Sequence, residues 1–341
     1  MILAFVSTDL LRPVSLATGP VSDKTHKSKQ SVHHDSHTLT ATYYSVKENL
    51  KATLMLSNQG TSAMPIQISL FSYDGYQSDL PADTLQAHEV RAVDLGQHIR
   101  RGSNFEEGSL QIIYQGMPLE LGGVVTLVNS ARSLIFDEEL TEPAKAFASA
   151  RLEGVWWRPA GSTEVRLALT NTSNAQLSVS VATGKKDNGN SDATTMTLIA
   201  HETRVLSTEE HNDSNELELH GKAGGISIKH TGAPGSLTAY GFVQEPEKGF
   251  SNIIDFTDPQ KVKTARLDGA GIRFETIANQ PLSQVAVVRN VGTAPTTVQG
   301  RISYTLANGR QGIKKLVLSE IVSRVVEIVF AAFLLKPILR A

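Results

Sequence analysis

The sequence predicts an all-β protein built of tandem β-sandwich repeats, with a third copy that is incomplete. Three observations carry this expectation. Short segments recur in one order along the chain, apolar and polar residues alternate within them with period two, and Asp-Gly or Asn-Gly pairs fall between them.

Composition bounds what the chain can be. Its 341 residues suffice for two or three domains with cores of their own. Hydrophobic residues at 40% and charged residues at 19% are those of a globular chain, not a disordered one. A formal charge of −2 offers no footprint for nucleic acid or an anionic membrane. The absence of cysteine excludes disulfide scaffolds, thiolate metal sites and a cysteine nucleophile. The opening MILAFVSTDLLRPVS has no basic flank and no long apolar run, so no signal peptide is read. Ile328 to Leu335 is apolar but bracketed by Glu327 and Lys336. It falls short of the roughly twenty residues a membrane helix needs, and no transmembrane segment is expected.

Residues 1–37 read as a polar, disordered arm. Within it, THKSKQSVHHDSH gathers His26, His33, His34, Asp35 and His37. Imidazole and carboxylate at this density could hold zinc or nickel, and His33, His34 and His37 are the ligands such a site would use. The solvated arm is the simpler reading and the one adopted, so no metal or cofactor is expected.

Repeat 1 is placed at 38–145 and repeat 2 at 146–262. Both carry an aromatic pair (Tyr43-Tyr44, Trp156-Trp157), then a strand ending in Asn (ATLMLSN to Asn58, VRLALTN to Asn171). An alternating strand follows, PIQISLFSY in one and LSVSVAT in the other, then Asp74-Gly75 or Asn188-Gly189 at a hairpin tip. LQAHEVR and LIAHETR come next, and Pro143 and Pro259 close the two units. A third copy at 263–328 repeats the Asn-ended strand at Asn290, the hairpin at Asn308-Gly309 and the Leu-to-Arg spacing at Leu318 and Arg324. VVEI (325–328) falls where AVDL falls in the first copy, and the match then stops at an apolar tail, 329–341. Such an ending leaves a sheet edge open. The expectations are a longer array, a tail that folds back as a cap, or a partner that donates the missing strand.

Seven or eight short strands per repeat, with hardly any helical periodicity, is the pattern of an immunoglobulin-like sandwich. The Asn-ended strand, the alternating hairpin and the L-x-A-H-E-x-R-x-V-D-L segment resemble the bacterial adhesion-type immunoglobulin-like repeats of the CARDB kind, over about Thr38 to Ile328. In that family the segment commonly reads Leu-x-Pro-Gly-Glu, where Ala87-His88-Glu89 and Ala200-His201-Glu202 stand here. The resemblance implies an extracytoplasmic spacer or binding module and brings no catalytic residues.

Other motifs are weighed against that frame. Ala-His-Glu reads as a turn entering a strand, with Val90, Ala92 and Asp94 on one face; a zinc helix would need a second His four residues on. Trp156 and Trp157 could form a sugar-stacking platform, but alternation turns one of two adjacent strand residues inward. KKDNGNSD (185–192) lacks the bidentate Glu of a calcium loop and reads as a hairpin tip. DGAGIRF (268–274) lacks the third glycine of a dinucleotide site. The acidic pairs Glu106-Glu107, Glu138-Glu139 and Glu209-Glu210 lie on loops or strand ends, and neither a nucleophile elbow nor a phosphate loop is present. The expected function is therefore a non-enzymatic structural, adhesion or binding module of a bacterial surface or exported protein. Its partners would be proteins or polysaccharides at the cell surface. A carbohydrate- or cell-wall-binding accessory module of a larger enzyme is the alternative.

Overall fold

The computed structural model describes residues 2–5, 36–159, 163–183, 193–209, 216–219, 221–261, 276–277, 280–281, 284–291, 296–305, 310–321 and 325–330. Their regular structure is almost entirely strand. Strand β1 is Ile2–Phe5. The first sandwich comprises β2 (Ser36–Ser45), β3 (Lys51–Asn58), β4 (Met64–Ser72), β5 (Gln77–Asp79), β6 (Asp83–Leu85), β7 (Val90–Asp94), β8 (Glu107–Gln115), β9 (Leu121–Asn129) and β10 (Leu134–Glu139). The second comprises β11 (Arg151–Trp157), β12 (Glu164–Asn171), β13 (Leu177–Thr183), β14 (Ala193–Leu198), β15 (Thr203–Ser207), β16 (Ala223–His230), β17 (Leu237–Glu245) and β18 (Phe250–Thr257). Beyond them lie β19 (Thr276–Ile277), β20 (Gln280–Pro281), β21 (Gln284–Asn290), β22 (Thr296–Thr305), β23 (Gln311–Ile321) and β24 (Val325–Phe330).

One sheet of the first sandwich runs β2-β8-β4-β5, with β6 also on β4, and the other runs β10-β9-β3-β7. The second sandwich has the same order, β11-β16-β13-β14 opposite β18-β17-β12-β15, its sheets touching where Glu153 and Gly154 pair with Thr257 and Phe256. An immunoglobulin constant domain keeps its first strand beside the second and its seventh beside the sixth. Here the second–fifth and third–sixth neighbours of that order are kept. With β5 and β6, which both pair with β4, counted as one fourth strand, the first strand instead pairs with the sixth (β2–β8) and the seventh with the second (β9–β3).

Period-two alternation sets the inner faces, as in β3, where Ala52, Leu54 and Leu56 are buried and Lys51 and Met55 are exposed. Other strands lack alternation because both their faces are covered. Ala41, Thr42, Tyr43 and Tyr44 of β2 are all buried, as are Leu167, Ala168, Leu169 and Thr170 of β12. The outer face of the second sandwich, with Ala168, Tyr240 and Phe242, belongs to the first sandwich's core. The two sandwiches thus stack sheet against sheet.

The third set continues the stack. Sheet β1-β21-β24 places Arg289 on the outer face of the second sandwich, and β22 pairs with β23 as β4 pairs with β5. Val325 stands opposite Arg289 as Val90 stands opposite Ser57 and Thr203 opposite Thr170. This corrects the alignment drawn from Leu-to-Arg spacing by two residues. The N-terminal region is likewise not wholly an arm: Ile2–Phe5 is a strand, and β2 begins at Ser36. Among the described residues, no helix is long and apolar enough to cross a membrane.

Candidate functional site

The repeated Asn and the repeated Ala-His-Glu form one structural device. Asn58 donates its side-chain amide to the carbonyls of Ser62 at 2.8 Å, Gln86 at 2.9 Å and Leu85 at 3.2 Å. Asn171 donates to Ala175 at 2.7 Å and Ile199 at 2.8 Å. His88 and His201 sit in the left-handed region at φ 59° and 58°, which His tolerates better than most residues. Glu89 accepts from the N–H of Gln86 at 2.6 Å, Glu202 from that of Ile199 at 2.7 Å, and Arg91 and Arg204 pair with those glutamates. The Leu that opens each motif, Leu85 or Leu198, is buried. The Asn, Leu, His, Glu and Arg of these two segments thus each have a folding task.

The two turns differ in what meets them. His88 is exposed, whereas His201 stacks on Phe71 of the first sandwich, centroids 4.4 Å apart, with Nε2 2.7 Å from Asn174 Oδ1. Burial lowers the His201 pKa. The N–H of Thr203 donates to the carbonyl of Tyr73 at 3.1 Å. Gly75, at φ +82°, presses its hairpin tip on the same turn; a Cβ there would lie 2.3 Å from the carbonyl oxygen of Ala200.

Deeper in this junction, Phe242 stacks on Tyr43 at 5.5 Å and packs at a tilt against Phe136 at 5.0 Å. The Tyr240 hydroxyl donates to the carbonyl of Asp137 at 3.2 Å, and that of Thr170 to the carbonyl of Thr42 at 2.7 Å. Strand β2 is bulged between Ala41 and Tyr44, which removes two N–H groups from the ladder. The Glu138 carboxylate accepts both, from Thr42 at 2.6 Å and Tyr43 at 3.0 Å. Burial outweighs those hydrogen bonds and pushes the Glu138 carboxyl up to about 7.

At the rim of the same junction lies a cleft of about 770 Å³, within the range of small-ligand sites. Tyr73, Glu107, Glu164, Arg166, Glu202 and Glu209 are among its walls. Its carboxylates are largely committed to groups of this chain. Glu107 accepts from the Tyr43 hydroxyl at 2.6 Å and Lys47 at 2.7 Å; buried Glu164 takes Arg166, Gln244 and the Ser207 hydroxyl; Glu48 lies 3.5 Å from Arg166. Burial alone would lower the Arg166 pKa, but Glu164 and Glu48 raise it and keep the cation charged. The Glu209 carboxyl is raised by burial and by repulsion from Glu164. What remains for a ligand is a polar, ion-paired wall beside Tyr73, which is 48% exposed.

The residues singled out in the sequence are not brought together here. Trp156 is 2% exposed and sits in the second core, with Arg158 over its ring at 5.4 Å. Trp157 is half-buried and packs edge-on against Phe250 at 5.9 Å. Trp156 is thus the inward member of the adjacent pair. His37 is buried in β2, its Nδ1 3.6 Å from Glu142 and 3.3 Å from Lys145 Nζ. His26, His33, His34 and Asp35 lie outside the described residues, as do 185–192 and 268–274. Among the described residues, no group of three His, Cys, Asp or Glu is placed to hold a metal. Sequence reading missed the cleft, whose walls come from separate parts of two sandwiches. The chain matches no protein-family model, no curated protein and no solved structure.

Proposed function

We propose that the chain is a non-enzymatic scaffold of tandem immunoglobulin-related sandwiches, serving as an adhesion or binding module of a bacterial surface or exported protein. The observation that supports this is the junction itself. Sandwiches joined by a buried face, with Phe242 against both Tyr43 and Phe136, are packed on one another rather than strung as beads on a tether. Such stacking holds surface loops at fixed spacing for a partner to read. The test is an immunoblot of the native protein across cytosol, envelope and medium. Envelope or medium location fits the proposal; a purely cytosolic band would sink it.

The cleft beside exposed Tyr73 favours a second reading, a carbohydrate- or cell-wall-binding accessory module. Aromatic rings with polar neighbours suit sugar rings, which present an apolar face and a hydroxyl edge. A glycan-binding screen comparing the parent with Tyr73→Ala separates the readings: binding lost in the variant selects the second, and no binding in either selects the first.

A further inference from the structure

The seventh strand of each sandwich lies against the Asn-ended strand in one fixed register. In the first sandwich Leu121 of β9 stands opposite Asn58 and Val124 opposite Met55. In the second, Leu237 of β17 stands opposite Asn171 and Tyr240 opposite Ala168. Strand β1 does the same to the third Asn-ended strand, Ile2 opposite Asn290 and Phe5 opposite Val287. All three pairings are antiparallel, and the other flank of the Asn-ended strand holds β7, β15 or β24 in turn. The residue types follow the register. Ile2-Leu3-Ala4-Phe5 has an aliphatic first residue, a small third and an apolar fourth, as do Leu121-Gly122-Gly123-Val124 and Leu237-Thr238-Ala239-Tyr240. In the first two sandwiches this strand follows the sixth along the chain. In the third it comes from ahead of the first sandwich.

We infer that the flank of β21 is a strand-acceptor site, and that Ile2–Phe5 of the same chain is its ligand, replacing the seventh strand non-covalently. Main-chain hydrogen bonding to an open edge supplies the attachment, and the alternating side chains supply selectivity. The acceptor is held independently of its ligand. Arg289 of β21 donates to the carbonyls of Ile226 at 3.1 Å and Gly154 at 3.2 Å, and pairs at 2.7 Å with Glu153, which is fully buried. Gly225 leaves the room for it, since a Cβ there would meet the Arg289 guanidinium at 2.3 Å. The site thus holds Ile2–Phe5 in the register that β9 and β17 keep with their own Asn-ended strands.

The chain has no cysteine, so an engineered pair reports cleanly. Ala4 and Val288 are cross-strand partners, and such positions lie within disulfide reach. In the full chain, Ala4→Cys with Val288→Cys is expected to oxidise to an intramolecular disulfide at least fivefold more completely than Ala4→Cys with Val287→Cys. Leu3→Pro combined with Ala4→Pro strips the one N–H of that adjacent pair that faces β21, since ladder donors alternate, and is expected to speed amide exchange in Gln284–Asn290 several-fold while leaving Lys51–Asn58 unchanged. Disulfide-linked dimers from the in-register pair would overturn the same-chain assignment and make a second copy the donor. Equal oxidation of the two pairs, with exchange in Gln284–Asn290 untouched by the prolines, would overturn the site altogether.

Discussion

The side-chain amide of Asn171 donates to the carbonyl of Ile199 at 2.8 Å, the counterpart of the 2.9 Å bond from Asn58 to Gln86. Each bond ties the end of one strand to a turn far along the chain, in front of a histidine with left-handed φ. Asn58 and Asn171 are both buried. Replacing Asn171 with Leu fills similar volume but leaves part-buried carbonyls without their side-chain donor, which costs about 1–2 kcal/mol. Urea unfolding is expected to show that loss in midpoint for Asn58→Leu and Asn171→Leu alike. A loss under 0.5 kcal/mol (roughly the level of an ordinary surface change) would remove the clamp from the account of the fold.

Glu138 gives the junction a pH dependence. Its folded pKa of about 7 lies above the ordinary 4.5. The folded carboxyl is therefore protonated over a window in which the unfolded chain is ionised, so its favourable contribution is full below about pH 4.5 and is lost as pH rises towards 7. Thermal melts between pH 4.5 and 7.5 are expected to fall by the equivalent of roughly 2 kcal/mol from this group, and Glu138→Gln is expected to flatten that part of the profile. Parallel profiles for parent and variant would refute the assignment.

The ion pair of Arg289 with Glu153 lies between the second sandwich and β21. Glu153 keeps Arg151 and the Ser227 hydroxyl as partners, so Arg289→Met leaves it poorly compensated rather than orphaned. The expected loss is about 2–3 kcal/mol, below that for a buried charge left alone. Glu153→Gln added to Arg289→Met is expected to recover part of it. A double-mutant cycle with no coupling would show that the two side chains act independently.

His88 and His201 separate the turn from the junction. Both occupy the same backbone position, but only His201 is stacked on Phe71. His201→Ala is expected to destabilise by about 1 kcal/mol, and His88→Ala to stay within about 0.5 kcal/mol. Equal effects on denaturant midpoint would mean that the ring contact adds nothing.

Much of this architecture was legible in the residues. Asn58 and Asn171, the buried leucines Leu85 and Leu198 and the Asp74-Gly75 tip mark places where backbone geometry admits few residue types, and such places repeat visibly. The sheet assignment of the first and seventh strands was not legible, because alternation specifies a face and not a neighbour. Thr42 and Thr170 gave a partial signal. Polar residues inside strands with no exposed face imply a second covering layer, but not what covers it. Trp156 was ambiguous for the same reason, since a large ring looks alike in a core and on a platform. The cleft at Tyr73 left no local trace, and Ile2–Phe5 finds its partner almost a whole chain length away.

Gly75 touches Ala200 at the tip of a hairpin, a second point of contact between the two sandwiches besides the aromatic junction. A second point of contact acts as a stop: it fixes how far one sandwich is rotated relative to the next. Side chains deep in the joint set spacing, whereas the glycine sets phase. An array extended by this joint would coil with a defined pitch, as solenoids do from small rotations per repeat. One added methyl group at position 75 would be read out as a change in the bearing of distant loops.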